Sequence, residues 1–347
     1  MIDIKKHTIR SSKTIAEALL QLNELGEDLT LFVVDISDLL LGTITDGDIR
    51  RGLLKNISIH DTVDKVMKVN FKSIDETISD FTVLEEFKAL GIQLLPTVDS
   101  QGRIRKILNL NVLNTVLPVD VVIMAGGEGR RLRPLTEKVP KPLLAVGKKP
   151  ILEHNIDRLI NFGAENFWIC IGYLGDQIER FFGDGANKGV NISYIKEEAP
   201  LGTIGAARNI SGFRHDHILV INSDVLTNID YKQFYMEFLS AGSDLAVATI
   251  PYNVNVPYAV LETSNGHVVS FKEKPTYTYH SNAGIYLIKK EALKNIPPGF
   301  FNATDLMEHL IKNGQKVISY PLIGYWLDIG KHEDYAKANE DIKHIKF

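Results

Sequence analysis

The sequence predicts an α/β protein with a mostly parallel sheet, preceded by a smaller α+β module. Strand-like and helix-like patterns alternate from Val119 onward, whereas an internal repeat occupies the residues before Pro118. Alternating strands and helices usually form a parallel sheet with helices on both faces. The repeat pattern gives way to the alternating pattern at Pro118, and a proline at such a change indicates a domain boundary. We therefore expect two domains, residues 1–117 and 118–347.

Composition limits the class of protein. The 347 residues are 44% apolar and 24% charged, as in ordinary folded proteins. A net charge of −4 provides no basic field, which argues against nucleic acid or an anionic membrane as partner. Cys170 is the single cysteine and is expected to be buried and inert. The N-terminal residues do not resemble a secretory signal, and no apolar stretch is long enough to span a bilayer, so we expect a cytoplasmic protein.

The N-terminal repeat predicts two similar structural units. Residues 31–49 and 94–112 each contain an apolar run, a polar turn and a second apolar run, which is the pattern of a β-hairpin. An amphipathic helix pattern precedes each hairpin, and its apolar positions are Ile15, Leu19, Leu22 and Leu25 in the first copy and Ile78, Phe81, Leu84, Phe87 and Leu90 in the second. Since one copy cannot bury its own apolar face, we expect the copies to pack together.

The alternating part of the chain predicts a crevice at one edge of a sheet. The predicted strands are 119–125, 166–173, 191–197 and 217–223, and the predicted helices are 151–162, 176–182 and 204–210. Parallel sheets bind ligands beyond the carboxyl ends of their strands. A glycine-rich loop follows the first strand and Asp224 follows the last, so both are expected to line this crevice.

The loop itself indicates an anionic ligand. The glycines between Gly126 and Gly129 allow a tight turn that exposes backbone N–H groups, and arginines follow at once. This combination favours a phosphate-like group. Two common phosphate loops do not fit, because Leu132 replaces the third glycine of the dinucleotide fingerprint and the Gly-Lys-Ser/Thr of the P-loop is absent. The glycines and arginines alone leave a solvated surface turn open.

The longer string is more specific. GGEGRRLRPLTEKVPKPLLAVGKKPIL, residues 126–152, resembles the signature of the sugar-1-phosphate nucleotidyltransferases, which join a sugar phosphate to an NTP and release pyrophosphate. Further matches follow in order: EEAPLGTIGA, INSDVLTN, YAVLE, FKEKP, NAGIY and WLDIG. The resemblance covers residues 119–340 and implies a Rossmann-like nucleotidyltransferase domain with an NTP and a sugar 1-phosphate as substrates.

The resemblance also implies the catalytic groups. The expected reaction is in-line attack of a sugar phosphate oxygen on the α-phosphorus, for which positioning and charge neutralisation suffice. Arg131 is expected to hold the triphosphate and Lys141, between two prolines, to approach the α-phosphate. Without the resemblance, the local sequence favours an exposed loop lysine at position 141. Asp224 and Asp328 are the implied Mg²⁺ ligands, since Mg²⁺ accepts few carboxylates and keeps waters.

Matching positions imply the substrate contacts. The nucleotide-binding positions are Ala125, Gly126, Gly127, Gly129, Glu197 and Gly202. The sugar-phosphate positions are Glu198, Glu273, Lys274, Asn282 and Gly284. Glu197 stands where several thymidylyl- and uridylyltransferases carry glutamine, and a carboxylate only accepts, which suits the N1–H and N2–H of guanine. We therefore expect GTP and a GDP-sugar, with a uridylyl-, thymidylyl- or cytidylyltransferase as the alternative.

Three positions depart from the pattern of the resembling enzymes. Arg130 stands where many carry threonine or serine, Ser223 replaces a glycine before the metal aspartate, and Ala259 replaces a glycine near the sugar. None of these changes removes a charged catalytic group. An inactive nucleotide-sugar sensor is the alternative from another class, and the intact charged residues argue against it.

The N-terminal repeat resembles a tandem pair of CBS motifs, which bind adenosine-type nucleotides. Thr45 and Asp48 match the positions that contact phosphate and ribose, whereas Asn109 and Val112 replace them in the second copy. The resemblance thus implies at most one regulatory adenine-nucleotide site. A dimerisation or structural module is the alternative, and a paired module of this kind favours a homo-oligomer.

Overall fold

The computed structural model describes residues 2–26, 29–75 and 81–345. Its backbone contacts divide the chain into two compact units, residues 1–116 and 117–347, one residue before the boundary expected from Pro118. Of the apolar positions expected in the second helix pattern, Ile78 and the side chain of Phe81 lie outside what the structure describes.

The first unit consists of two copies of one arrangement. Its elements are α1 (Ile4–His7), β1 (Thr8–Arg10), α2 (Ile15–Leu25), β2 (Thr30–Val34), β3 (Leu40–Thr45), α3 (Asp46–Leu53), β4 (Ile74–Asp75), α4 (Phe81–Ala89), β5 (Leu94–Val98) and β6 (Ile104–Asn109). In the first sheet β2 pairs parallel with β1 and antiparallel with β3. In the second, β5 pairs in the same way with β4 and β6. The internal repeat is therefore a repeat of topology as well as of sequence.

The two copies share a core. Phe32 and Leu40 from the first sheet pack with Leu94 and Ile107 from the second, and all four are buried. The expectation that the copies pack together is thus confirmed, although the apolar helix positions, such as Ile15 and Leu84, are buried within their own copies. The copies differ after the hairpin, because α3 follows β3 whereas residues 113–118 after β6 have no regular structure.

The second unit contains the alternating elements. They are β7 (Val119–Ala125), β8 (Ala145–Val146), β9 (Lys149–Pro150), α5 (Ile151–Asn161), β10 (Asn166–Ile171), α6 (Gly175–Phe182), β11 (Asn191–Lys196), β12 (His217–Asn222), β13 (Val225–Thr227), α7 (Tyr231–Ser240), β14 (Leu245–Asn255), β15 (Val260–Ser264), β16 (His267–Lys272), β17 (Thr276–Lys289), α8 (Ala303–Lys312), β18 (Val317–Pro321), β19 (Trp326–Asp328) and α9 (His332–Asp341). The helix expected over 204–210 is instead a 3₁₀ helix, Gly205–Asn209. A helical segment of only five residues is short enough for the 3₁₀ form, which occurs mainly in short pieces.

A mixed, mostly parallel sheet forms the centre of this unit. Within the described residues, seven strands are ordered β11-β10-β7-β12-β17-β14-β18. The first four are mutually parallel, as are β14 and β18, and β17 is antiparallel to both of its neighbours. Strands β7 and β10 are buried almost throughout, which explains their continuous apolar sequences, and Cys170 is fully buried in β10 as expected. The predicted α/β class is confirmed.

Two strands extend beyond this sheet. The outer parts of β14 and β17 pair with each other as an exposed ribbon, from Pro251 opposite His280 to Asn255 opposite Thr276. The exposed hairpin of β15 and β16 lies between them in the sequence. None of the helices in the described ranges has the length and apolarity needed to cross a membrane.

Candidate active site

A cleft of about 500 Å³ opens where β7 and β12 end. The residues after β7 line it on one side and the residues after β12 line it on another. Its lining consists of Met124, Ala125, Gly126, Gly127, Glu128, Gly129, Arg130, Arg131, Lys141, Pro142, Glu197, Pro200, Gly202, Thr203, Asn222, Ser223, Asp224, Phe300 and Gly330. The glycine-rich loop and Asp224 therefore line one cleft, as their positions at strand ends predict.

Two glycines of the loop lie close to predicted site residues. Gly129 has a φ of +63°, and a Cβ there would lie 3.1 Å from Lys141 Cβ. A Cβ at Gly126 would lie 2.7 Å from Glu197 Oε1. The loop backbone is thus in direct contact with the stems or head groups of two predicted site residues, which a larger residue would displace.

Lys141 is a buried residue rather than an exposed loop lysine. It begins a 3₁₀ turn, Lys141–Leu143, directly after Pro140. Its ammonium group donates to the Asp224 carboxylate, and Nζ lies 3.7 Å from Asp328 Oδ1. A buried ammonium requires such compensation. This burial excludes the solvated alternative that the local sequence left open.

Two aspartates meet through a short antiparallel pair of strands. Val225 of β13 lies opposite Asp328 of β19, and the Ile329 N–H donates to the Asp224 carbonyl at 3.0 Å. Asp328 Oδ1 is buried and accepts no hydrogen bond within the described part of the chain. Burial and the adjacent Asp224 carboxylate raise the pKa of Asp328. The second carboxylate thus comes from a strand that is distant in the sequence.

These carboxylates have the donor set of a divalent cation site. An unsatisfied buried carboxylate oxygen beside a second carboxylate is stabilised by a cation, and Mg²⁺ is commonly held by one or two carboxylates, substrate phosphates and waters. Across the residues that the structure describes, no cluster of three or more His, Cys, Asp or Glu side chains is arranged to hold a metal. Asp224 and Asp328 fit Mg²⁺ only as a partial donor set, which substrate oxygens and waters would have to complete.

Arg131 lies against the other wall of the cleft. A Cβ at Gly330 would lie 3.1 Å from Arg131 Nη2, so the guanidinium group packs directly on the Gly330 backbone. Both residues line the cleft. The WLDIG segment therefore contains Asp328 and also Gly330, where the absence of a side chain leaves room for the Arg131 guanidinium group.

Glu197 presents a partly buried carboxylate to the cleft. Its Oε2 accepts the Leu201 N–H at 3.1 Å, while Oε1 faces Gly126. Burial raises the pKa of Glu197 above its usual range. Gly202 has a φ of +81°, and a Cβ there would lie 2.5 Å from the Phe301 carbonyl oxygen. The loop after β11 is therefore fixed by close contacts beside Glu197.

Two predicted sugar-site residues, Asn282 and Gly284, lie behind the cleft lining rather than in it. Asn282 Oδ1 accepts the Gly284 N–H at 2.9 Å, and neither residue lines the cleft. A Cβ at Gly284, which has a φ of +72°, would lie 2.5 Å from Asn222 Nδ2. Asn222 does line the cleft. Gly284 thus provides space for Asn222, a residue that sequence reasoning did not single out although it precedes Ser223 and Asp224.

The structure does not bring three other predicted residues to the cleft. Glu198, Glu273 and Lys274 are exposed, and none of them is among the lining residues. Glu273 and Lys274 follow β16 in the hairpin that extends beyond the sheet. Their contact with a sugar phosphate stays a prediction. Phe300 lines the cleft, and no motif in the sequence pointed to it.

In the first unit, Thr45 and Asp48 bond to each other. The Thr45 N–H donates to Asp48 Oδ2 at 2.9 Å, and the Asp48 N–H donates to Thr45 Oγ1 at 3.3 Å, which forms a capping box at the start of α3. Arg51 also contacts the Asp48 carboxylate at 2.5 Å. These bonds give both side chains a structural role, and their contact with a nucleotide stays a prediction.

Comparison with known proteins identifies the second unit. Residues 120–345 match the Nucleotidyl transferase family, and the chain belongs to this family of sugar-1-phosphate nucleotidyltransferases. The match begins after the repeat, so the resemblance of residues 1–117 to CBS motifs stays a prediction.

Similar proteins carry several activities in their names. The chain is 33% identical over 231 residues to a mannose-1-phosphate guanylyltransferase of Mycobacterium tuberculosis, a match that covers 65% of this chain and 64% of that relative. It is 30% identical over 235 residues to a D-glycero-α-D-manno-heptose 1-phosphate guanylyltransferase of Aneurinibacillus thermoaerophilus. This match covers 65% of this chain and 99% of that relative. The crystal structure of a putative glucose-1-phosphate thymidylyltransferase from Bacillus anthracis matches with a TM-score of 0.53 and 27% identity. This match covers 66% of this chain and 97% of the chain in that structure.

Proposed function

We propose that this chain joins an NTP and a hexose or hexosamine 1-phosphate into a nucleoside-diphosphate sugar and releases pyrophosphate. The observation that carries the proposal is the buried Lys141, which contacts Asp224 and lies 3.7 Å from Asp328 beside a glycine-rich loop. This combination of a cation, two carboxylates and a glycine-rich backbone suits the transfer of a charged phosphoryl group. The names of the similar proteins describe the same class of reaction.

The residues of the cleft have two roles, which are to position the substrates and to neutralise the charge of their phosphates. A sugar phosphate oxygen attacks the α-phosphorus, and the bond from that phosphorus to the bridging oxygen breaks as pyrophosphate leaves. Lys141 neutralises charge on the α-phosphate, and Arg131 with the loop amides holds the departing phosphates. Because Lys141 and Arg131 are held by Asp224 and by the Gly330 backbone, little reorganisation is needed during the reaction.

Asp224 and Asp328 are the residues that would hold Mg²⁺. Bound there, Mg²⁺ supplies a positive charge that neutralises phosphate oxygens. Before substrate arrives, the two carboxylates orient the Lys141 ammonium group at the cleft.

For the base, we propose guanine. Burial raises the pKa of Glu197, and the Leu201 N–H that Oε2 accepts acts in the opposite direction by favouring the charged, accepting form of the carboxylate. A carboxylate acceptor pairs with guanine N1–H and N2–H, whereas uracil and thymine present carbonyl oxygens on either side of one N–H. Two similar proteins named as guanylyltransferases support guanine, and the similar structure named as a thymidylyltransferase supports the alternative.

A matrix of substrates tests the proposal. Pyrophosphate release is measured for the four NTPs, each with glucosamine 1-phosphate, mannose 1-phosphate and glucose 1-phosphate. We expect GTP to give the fastest release with one of these acceptors. Faster release with UTP, dTTP or CTP would overturn the guanine assignment alone. Nucleotide-sugar binding without release in any combination would support the inactive sensor instead.

For the first unit, we propose one adenine-nucleotide site at the N-terminus of α3 and a role in assembly of a homo-oligomer. Thr45 and Asp48 match the CBS motif, and the second copy carries Asn109 and Val112 at these positions. Calorimetric titration with AMP and ATP tests the site, and we expect binding with a stoichiometry of at most one per chain. If AMP and ATP produce no binding heat and no change in turnover, the regulatory role is overturned and the dimerisation role is left. Sedimentation measures the oligomeric state and so tests the dimerisation role.

A further inference from the structure

The glycine-rich loop contains a carboxylate that holds two arginines. Glu128 Oε1 and Oε2 accept from Arg130 Nη2 and Nε at 2.8 and 2.7 Å, a bidentate contact. Arg133 Nη2 reaches Glu128 Oε2 at 3.3 Å. Both guanidinium groups are substantially exposed, with side-chain exposures of 74% for Arg130 and 48% for Arg133. Exposed ion pairs stabilise a fold only weakly, so these pairs can exchange their partners at little cost.

The two arginines differ in their position relative to the cleft. Arg130 and Glu128 line it, whereas Arg133 does not. Arg131, the next residue after Arg130, also lines the cleft.

We propose that Glu128 is an internal competitor for the polyphosphate, and that Arg130 exchanges its bond to Glu128 for a bond to the phosphates. A guanidinium group binds a carboxylate and a phosphate in the same bidentate geometry, and the polyphosphate carries more charge. After the exchange, Arg130 contributes to the binding of an incoming triphosphate. As pyrophosphate leaves, Glu128 recaptures Arg130, which keeps this arginine from retaining the product. The identity of the ligand rests on the proposed function.

Binding of pyrophosphate to the full-length chain tests this proposal without turnover. Isothermal titration measures the Kd of the wild type and of three single variants, with circular dichroism to verify folding. We expect Arg130→Gln to weaken binding about tenfold and Glu128→Gln to tighten it severalfold, about three- to tenfold. Arg133→Gln is the matched control, because it removes an arginine from the same carboxylate outside the cleft. We expect it to change the Kd less than about twofold.

A double-mutant cycle separates competition from simple repulsion. If Glu128 competes for Arg130, Glu128→Gln loses its effect in the Arg130→Gln background. Equal effects in both backgrounds would mean that Glu128 only repels phosphate, and this would overturn the proposal. Absence of pyrophosphate binding by the wild type would also overturn it. If no NTP and sugar phosphate react but binding depends on Arg130 as expected, the exchange stands and only the proposed function fails.

Discussion

The Lys141 ammonium group donates to the carboxylate of Asp224, which lies 83 residues further along the chain. This ion pair joins the loop after β7 to the end of β12 at the base of the cleft. Because Lys141 is buried, removing its charge leaves two carboxylates with less compensation.

Lys141→Gln should therefore lower kcat for pyrophosphate release by at least about a hundredfold, since a preorganised positive charge at the reacting phosphate is lost. Initial rates at saturating substrates measure this effect. Lys148→Gln is the control, because Lys148 is exposed in the following turn and does not line the cleft. Equal rates for the wild type and Lys141→Gln would contradict the catalytic role.

Removal of divalent cations should abolish pyrophosphate release, and added Mg²⁺ should restore it. In Asp328→Asn, the Mg²⁺ concentration for half-maximal rate should rise about tenfold or more, because a neutral amide replaces one of two carboxylate donors. A magnesium titration of both proteins in the rate assay checks this. An unchanged magnesium requirement in Asp328→Asn would remove this residue from the site.

Glu197→Gln should change the preference among NTPs. An amide both donates and accepts, so the variant should lose about tenfold or more in kcat/KM for GTP and gain with UTP or dTTP. Competition between GTP and UTP in one reaction measures the ratio directly. A variant that keeps the wild-type preference would show that Glu197 does not select the base.

Glu197 also makes stability depend on pH. Burial raises its folded-state pKa above the usual 4.5, so the folded chain binds this proton more strongly than the unfolded chain does. The contribution of Glu197 to the free energy of unfolding is therefore highest below pH 4.5 and falls as pH rises through the folded pKa. Urea unfolding of the wild type and Glu197→Gln from pH 4 to 8 measures the difference. A wild type that gains stability relative to the variant as pH rises would contradict this sign.

Gly284→Ala should destabilise the fold and disturb the cleft. Gly284 has a φ of +72°, and the added Cβ would lie 2.5 Å from Asn222 Nδ2. Gly314→Ala is a matched control, because Gly314 has a φ of +70° and no atom within 4 Å of its Cβ position. We expect a loss of about 1 kcal/mol for the control and about 2–4 kcal/mol for Gly284→Ala. Equal losses in urea unfolding would mean that Asn222 moves aside freely.

The local sequence determined much of this protein. The strand patterns predicted β7, β10, β11 and β12, and the ends of β7 and β12 predicted a cleft with the glycine-rich loop and Asp224. The repeat predicted two copies that share a core. These features follow from the sequence because the periodicity of a strand, the end of a strand and the conformational freedom of glycine depend mainly on neighbouring residues.

Tertiary structure alone decided which distant groups meet. Asp328 lies beside Lys141 because β13 pairs with β19, and Asn222 faces the cleft because Gly284 in the antiparallel β17 leaves it space. The packing of the sheet also leaves Glu273 and Lys274 exposed, although their motif resembles a sugar-phosphate site. Local spacing contains no information about such contacts, since they depend on strand order and on which side chains the folded core brings within a few ångströms.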